Sequence, residues 1–343
     1  MKENKSLSDK YENIAKHLNL IDFKKLWLGF KPYRFALYND TEVFFDGHKF
    51  PKTDQFIGNT TIEYEGEQIA IWEVNNKDND IDLLTVKIVH EMFHAYQVSQ
   101  KESRFPNELE AVIKYNYSAT NLNIKLAENN LLTELVKAFD QSKFDLFLSY
   151  RAYRKSINPY SFHYESSIEV IEGTALYVEL QALYQLNSEK AAIYLEKIVK
   201  GIIDPQNFIP VRIISYDTGA IILKILQDNK INFDELIFKG QSTYMDQLLN
   251  ITPKKKAPLV IDVFSNILIE DEKKLDYVIE KSTISKPIVE GSYKLFACNI
   301  YDARYHKGYL LSKHFIAYVE DENSVFMNGN FLAKISEEFQ ISA

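Results

Sequence analysis

A single cysteine, Cys298, is all this chain of 343 residues has, and that shortage excludes an internal disulfide framework and any cysteine-rich metal site. Long apolar runs are missing too. Gly219-Ala-Ile-Ile-Leu is among the longest, far short of the roughly 20 residues a membrane-crossing helix needs. There is no basic surplus: the net charge of −8 argues against a general binder of nucleic acid or of anionic membranes. The start, Met1-Lys-Glu-Asn-Lys-Ser6, leads into Tyr11-Glu-Asn-Ile-Ala-Lys-His17 and not into an apolar core, so no signal peptide is expected. These absences predict a soluble, cytoplasmic protein.

What is present is ordinary globular material, 46% apolar and 26% charged, in a chain long enough for two or possibly three domains. Twenty-two Tyr and twenty-two Phe supply cores, so scattered aromatics are not read as stacking platforms.

Histidine is scarce, seven in all, yet two of them fall in His90-Glu91-Met92-Phe93-His94 within the apolar, helically spaced stretch Thr85 to Gln97. Side chains four apart share a helix face, their Cβ atoms roughly 5–6 Å apart. His90 and His94 can therefore bind one ion through an imidazole nitrogen each, and Glu91, one step round the helix, can take a proton from a water held there. Imidazole suits zinc, and a catalytic zinc site has three protein ligands and an open position, so a third ligand is required elsewhere.

Before this helix, Leu7 to Leu18 and Asp22 to Leu28 read as short helices. Phe35 to Tyr38, Glu42 to Phe45, Thr60 to Tyr64 and Gln68 to Trp72 read as strands of a small antiparallel sheet, with hairpin signals at Asp46-Gly47 and Glu65-Gly66. Ile69 to Val74 is the candidate edge strand for holding an extended substrate by strand addition. After the polar Ser99 to Ser103, residues Glu108 to Tyr153 are helical in period. Arg151 and Arg154 share a face there, where they can receive a substrate carboxylate or pair with acids.

A second stretch, His163 to Glu179, places Glu165, Glu169, Glu172 and Glu179 on or near one helical stripe. Glu172, Glu169 and Glu165 lie on nearby faces of one helix, and any of them can supply the third ligand. Gly173 allows another helix to approach closely. Glu179, two turns beyond Glu172, can accept the spare N–H of a ligating histidine. In a third stretch, Tyr216 precedes Gly219-Ala220 at the start of a strongly apolar helix, and its phenol can donate to an oxyanion.

Taken together, the three stretches resemble the aminopeptidase-N-like gluzincins, whose pattern is H-E-x-x-H, then N-E-G-x-x-x-Y-x-E, then Y-x-K-G-A. The counterparts here are His90-Glu91-x-x-His94, Glu172-Gly173-x-x-x-Tyr177-x-Glu179 and Tyr216-x-Thr218-Gly219-Ala220. The resemblance implies zinc on His90, His94 and Glu172, one ion per chain, with Glu91 as general base. It implies Glu179 as partner of a zinc histidine and Tyr216 as stabiliser of the transition state. It covers roughly Gln68 to Asn229. Residues 95–171 separate His94 from Glu172, an interval several times the family's, so the helices of Glu108 to Tyr153 have to loop out. The G-x-M-E-N strand of the aminopeptidases is absent: Ile71-Trp72-Glu73-Val74-Asn75 stands in its place.

Further on, helices are expected around Phe233 to Asn250, and Thr252-Pro253-Lys254-Lys255-Lys256-Ala257-Pro258 reads as a linker. Tyr293 to Ile300, Tyr309 to Leu311, His314 to Val319, Val325 to Met327 and Phe331 to Ile335 read as strands of a small β-rich domain, in which His306 and His314 are isolated. The expected class is α+β: an N-terminal β-rich part (1–80), a mainly helical zincin-type catalytic domain (81–251) and a C-terminal β-rich domain (252–343). The expected activity is a zinc metallopeptidase acting on a peptide or protein, with no nucleic-acid or membrane partner. The alternative is a silent scaffold of the same build that binds a peptide or partner protein.

Overall fold

The computed structural model describes residues 6–75, 80–231, 242–250, 255–282, 291–336 and 340–342. It is mixed α/β, with an N-terminal five-stranded sheet and a C-terminal β region. Contacts divide it into two units, each assembled from separated stretches. The first holds Met1–Phe105, Glu169–Lys200 and Tyr216–Tyr244; the second holds Pro106–Ile168, Gly201–Ser215 and Met245–Ala343.

In the first unit, α1 (Leu7–Leu18) starts at a capping box in which Ser6 and Asp9 satisfy each other's backbone N–H groups. Next comes the sheet: β1 (Phe35–Tyr38), β2 (Glu42–Phe45), β3 (His48–Pro51), β4 (Thr60–Tyr64) and β5 (Glu67–Glu73), in spatial order β3-β2-β1-β5-β4. Both expected hairpins form. Asp46-Gly47 (φ 50° and 80°) and Glu65-Gly66 (φ 51° and 81°) put two successive residues at positive φ, the turn whose twist matches paired strands.

Two expectations fail here. The sheet is not wholly antiparallel, because β5 runs parallel to β1. Nor is Ile69 to Val74 an edge: β5 is hydrogen-bonded to β1 on one side and to β4 on the other. The reason is burial. Ile69, Ala70 and Ile71 are all at 0% exposure, which requires cover on both faces and suits an interior strand. The edges of this sheet are β3 and β4.

The long helix α3 (Ile81–Ser99) opens on Asp80, whose carboxylate accepts the N–H groups of Asp82 and Leu83. It packs on β4 and β5 on one side and on α8 (Thr174–Leu186) on the other, so apolar residues surround most of its circumference. Helix α8 continues directly from a π-helical turn, Glu169–Gly173, and is succeeded by α9 (Ser188–Gly201). Helix α10 (Arg212–Asp228) carries Tyr216 and Gly219.

The second unit contains α4 (Glu108–Lys114), α5 (Ala119–Leu135), α6 (Gln141–Ile157), α7 (Pro159–Ile168) and a helix over Phe264–Ser282. It also contains a seven-stranded antiparallel sheet, formed by Ser292–Cys298, Arg304–His306, Tyr309–Ser312, Phe315–Glu320, Asn323–Asn328, Phe331–Ile335 and Gln340–Ser342. Leu109, Val112 and Ile113 of α4 pack on the core of this sheet at Leu295, Leu310 and Tyr318. The expected helices around Phe233 survive as Tyr244–Asn250; residues 232–241 and the Thr252-Pro253-Lys254 part of the linker lie outside the described residues. Lys255 and Lys256 are exposed. His306 pairs with Asp276 at 2.9 Å, and His314 is exposed. Among the described residues no helix is long and apolar enough to cross a membrane.

Candidate metal centre

Three ligand-type side chains meet between α3 and the π turn. His90 and His94 stand one turn apart on α3, ring centroids 4.9 Å apart and planes 74° from parallel. Glu172 of the π turn brings Oε2 to 3.6 Å from His90 Nε2 and 3.2 Å from His94 Nε2. The ligand atoms of these three residues all lie within 4.8 Å of one another, and the group can hold a metal ion. A tetrahedral ion with bonds of about 2.0–2.1 Å spans ligand–ligand edges of about 3.3 Å, close to the two edges that end on Glu172.

Hydrogen bonding fixes which nitrogen faces the cluster. His90 Nδ1 lies 3.0 Å from Glu179 Oε2, an acceptor, so Nδ1 carries a proton and Nε2 is the nitrogen turned to the cluster. For His94 the partner is Gln97 Oε1 at 2.8 Å. The Gln97 amide has its orientation set by Nε2, which donates to the Ile171 carbonyl at 2.8 Å and to Thr174 Oγ1 at 2.9 Å. Its oxygen therefore accepts from His94, and both Nε2 atoms converge beside Glu172. Such outer contacts are the usual company of metal-binding histidines.

The electrostatics favour positive charge here. Burial alone would strip His90 of its proton, but Glu172 and Glu179 outweigh it and hold the pKa up at about 10. His94 is raised likewise, against burial, by Glu172. Burial pushes the Glu91 carboxyl above its ordinary value, while His90 and His94 pull it down. Glu179, buried completely, is nonetheless held down at about 2 by Lys87 and His90. A site that attracts protons in this way equally attracts a metal cation, which competes with them. The site is not sealed: the His94 and Glu172 side chains each keep 14% of their surface exposed.

The π turn also separates the acids that share a stripe in the sequence. Glu172 joins the histidines, whereas Glu169 is fully buried and accepts from Thr218 Oγ1 of α10 at 3.0 Å. Glu165 is not a ligand either: Arg154, Lys125 and Tyr115 all donate to it within the second unit. An extra residue in a helical turn rotates the rest of the helix by about a quarter of a turn, so Glu165 and Glu172 part company. Arg151 and Arg154 are likewise not available to a substrate. At 1% and 0% exposure they belong to this buried network, with Arg154 bonded to Glu128 at 2.8 and 2.9 Å.

Gly173 and Gly219 are the crossing point of the π turn with α10. A Cβ on Gly173 would lie 2.7 Å from Gly219 Cα, and one on Gly219 would lie 2.8 Å from both Glu169 O and Gly173 Cα. Backbone atoms cannot step aside cheaply, so the small residues in Glu172-Gly173 and Gly219-Ala220 are two halves of one contact. Tyr216, half-buried, stands on α10 three residues before that contact. Gly219→Ala is expected to cost about 1–3 kcal/mol of stability, as overpacking does. Urea denaturation reads it, and an unchanged midpoint would show that the crossing has slack.

Gln97, Lys87 and Tyr194 escaped the sequence reading. Gln97 comes three residues after His94 and Lys87 three before His90, a spacing that puts each on the ligand face of α3, but neither residue type signals a metal by itself. No protein-family model, curated protein or solved structure matches this chain.

Proposed function

We propose that this chain is a zinc metallopeptidase of the gluzincin kind, holding one ion through His90, His94 and Glu172 and hydrolysing peptide bonds in a peptide or protein. The observation that carries the reading is the convergence of two imidazole Nε2 atoms on a carboxylate oxygen, at 3.6 and 3.2 Å, with each opposite nitrogen held by Glu179 or Gln97. The order of the three motifs along the chain supports it. Zinc in this place supplies Lewis-acid polarisation of the scissile carbonyl and brings the pKa of a water toward about 7. Glu91, 8% exposed and next to His90, accepts the proton of the attacking water and passes it to the leaving amine. Tyr216 donates to the oxyanion. The free edge β4, packed on α3, offers an extended substrate a strand to pair with.

Elemental analysis of wild type beside Glu172→Ala tests the ligand set. One zinc per wild-type chain, lost in the variant, is the expected result; zinc retained at full stoichiometry by the variant would remove Glu172 from the site. A protein that holds one zinc yet cleaves nothing in a broad peptide library is instead the binding scaffold.

A further inference from the structure

Next to the cluster lies a set of polar groups that the proposed reaction leaves unused. The Glu179 side chain has no solvent exposure, and a carboxylate stripped of water needs both charge and hydrogen bonds in compensation. Its two oxygens are divided. Oε2 accepts from His90 Nδ1 at 3.0 Å, while Oε1 receives the Lys87 ammonium at 2.8 Å and the Tyr194 hydroxyl at 2.9 Å. Lys87 also donates to the Tyr194 oxygen at 3.1 Å, closing a triangle between α3, α8 and α9.

Resting on the metal reading above, we propose that Lys87 and Tyr194 are positioning residues for the metal centre: they pin one oxygen of Glu179 so that the other fixes the ring orientation and tautomer of His90. A carboxylate that meets a ligating histidine orients the ring only if the carboxylate itself cannot turn. Here two donors from two other helices stop it. Charge points the same way. A dication among ionised Glu91, Glu172 and Glu179 leaves the centre one negative charge in excess, and the Lys87 ammonium supplies the missing positive one. Lys87 is three residues before His90 on the same helix, so ligand and counter-charge share one rigid frame.

A purely structural ion pair tying α3 to α8 would lower the melting temperature of the metal-free protein without changing zinc affinity. The deciding experiment is a double-mutant cycle on the full chain, with zinc dissociation constants measured by competition with a chromophoric chelator. Lys87→Met and Glu179→Gln should each weaken zinc about 10–100-fold, and the double variant should be no weaker than Glu179→Gln alone. Unchanged affinity in Lys87→Met would overturn the inference, as would losses that multiply in the double variant. If Lys87→Met does not fold, Tyr194→Phe takes its place in the same cycle. A severalfold loss that vanishes beside Glu179→Gln then supports the inference, and wild-type affinity overturns it. A wild-type chain that takes up no zinc fails the metal reading itself, and that result is read before any variant is compared.

Discussion

Glu91→Gln is expected to retain one zinc per chain while peptidase turnover falls by about 10²–10⁴-fold, the usual worth of a positioned general base. The substitution keeps size and shape but removes the proton acceptor. It leaves His90, His94 and Glu172 alone, and with them the 3.6 and 3.2 Å edges that define the ion's place. Substrate binding in the ground state does not need the carboxylate, so the loss should fall on kcat and not on KM. The two readouts separate two failures. Zinc lost along with activity would make Glu91 a structural member of the cluster, whereas zinc retained with undiminished turnover would remove Glu91 from the chemistry. The location suits the role: Glu91 is nearly buried, and desolvation lifts its pKa above the ordinary carboxylate value, against the pull of His90 and His94. A base poised closer to working pH transfers protons more effectively.

How much of this centre can be read in the residues alone depends on how local the signal is. His90 and His94 are legible because a four-residue spacing inside an apolar run has one meaning on a helix. The hairpins at Asp46-Gly47 and Glu65-Gly66 are legible because few residue pairs tolerate two positive φ angles in succession. Glu172 can be named but not separated from Glu165 and Glu169, since a period of 3.6 places all three on neighbouring faces. Only the π turn, an added residue with no sharp sequence mark, sends them to different neighbours. The parallel pairing of β1 with β5 is illegible for another reason: strand alternation reports which face is buried, not which strand lies alongside or in which direction. β3 escapes because His48–Pro51 is mostly exposed and shows no buried stripe. Arg151 and Arg154 mislead most. Two arginines on one helix face read as a surface feature, and only the distant Glu128 and Glu165 show that they are internal.

That buried network carries the second large expected effect. Arg154 touches both carboxylates, donating to Glu128 at 2.8 and 2.9 Å and to Glu165 at 2.7 and 3.0 Å, with both partners at 0% exposure. Lys125 adds a contact of 2.6 Å to Glu165. Arg154→Met fills much of the volume but strands two acids in a dry interior, and should cost about 3–5 kcal/mol at neutral pH, as removal of one partner from a buried pair does. The pH dependence gives the effect a signature. Burial alone would raise the Glu165 pKa, yet Arg154 and Lys125 hold it far below the ordinary carboxylate value. A depressed acid contributes stability that is present above its unfolded pKa of about 4.3 and is lost as pH falls through the lower folded value. Wild type should therefore weaken steeply below about pH 4, as the unfolded chain takes up protons that folded Glu165 refuses. In Arg154→Met that refusal is relaxed, so the variant loses less on acidification and the two stabilities converge. Urea midpoints at pH 7 and pH 3.5 measure this. A gap equal at both pH values would mean that the variant suffers from packing alone, and no gap at pH 7 would mean that Lys125 and Arg151 neutralise the two acids without Arg154.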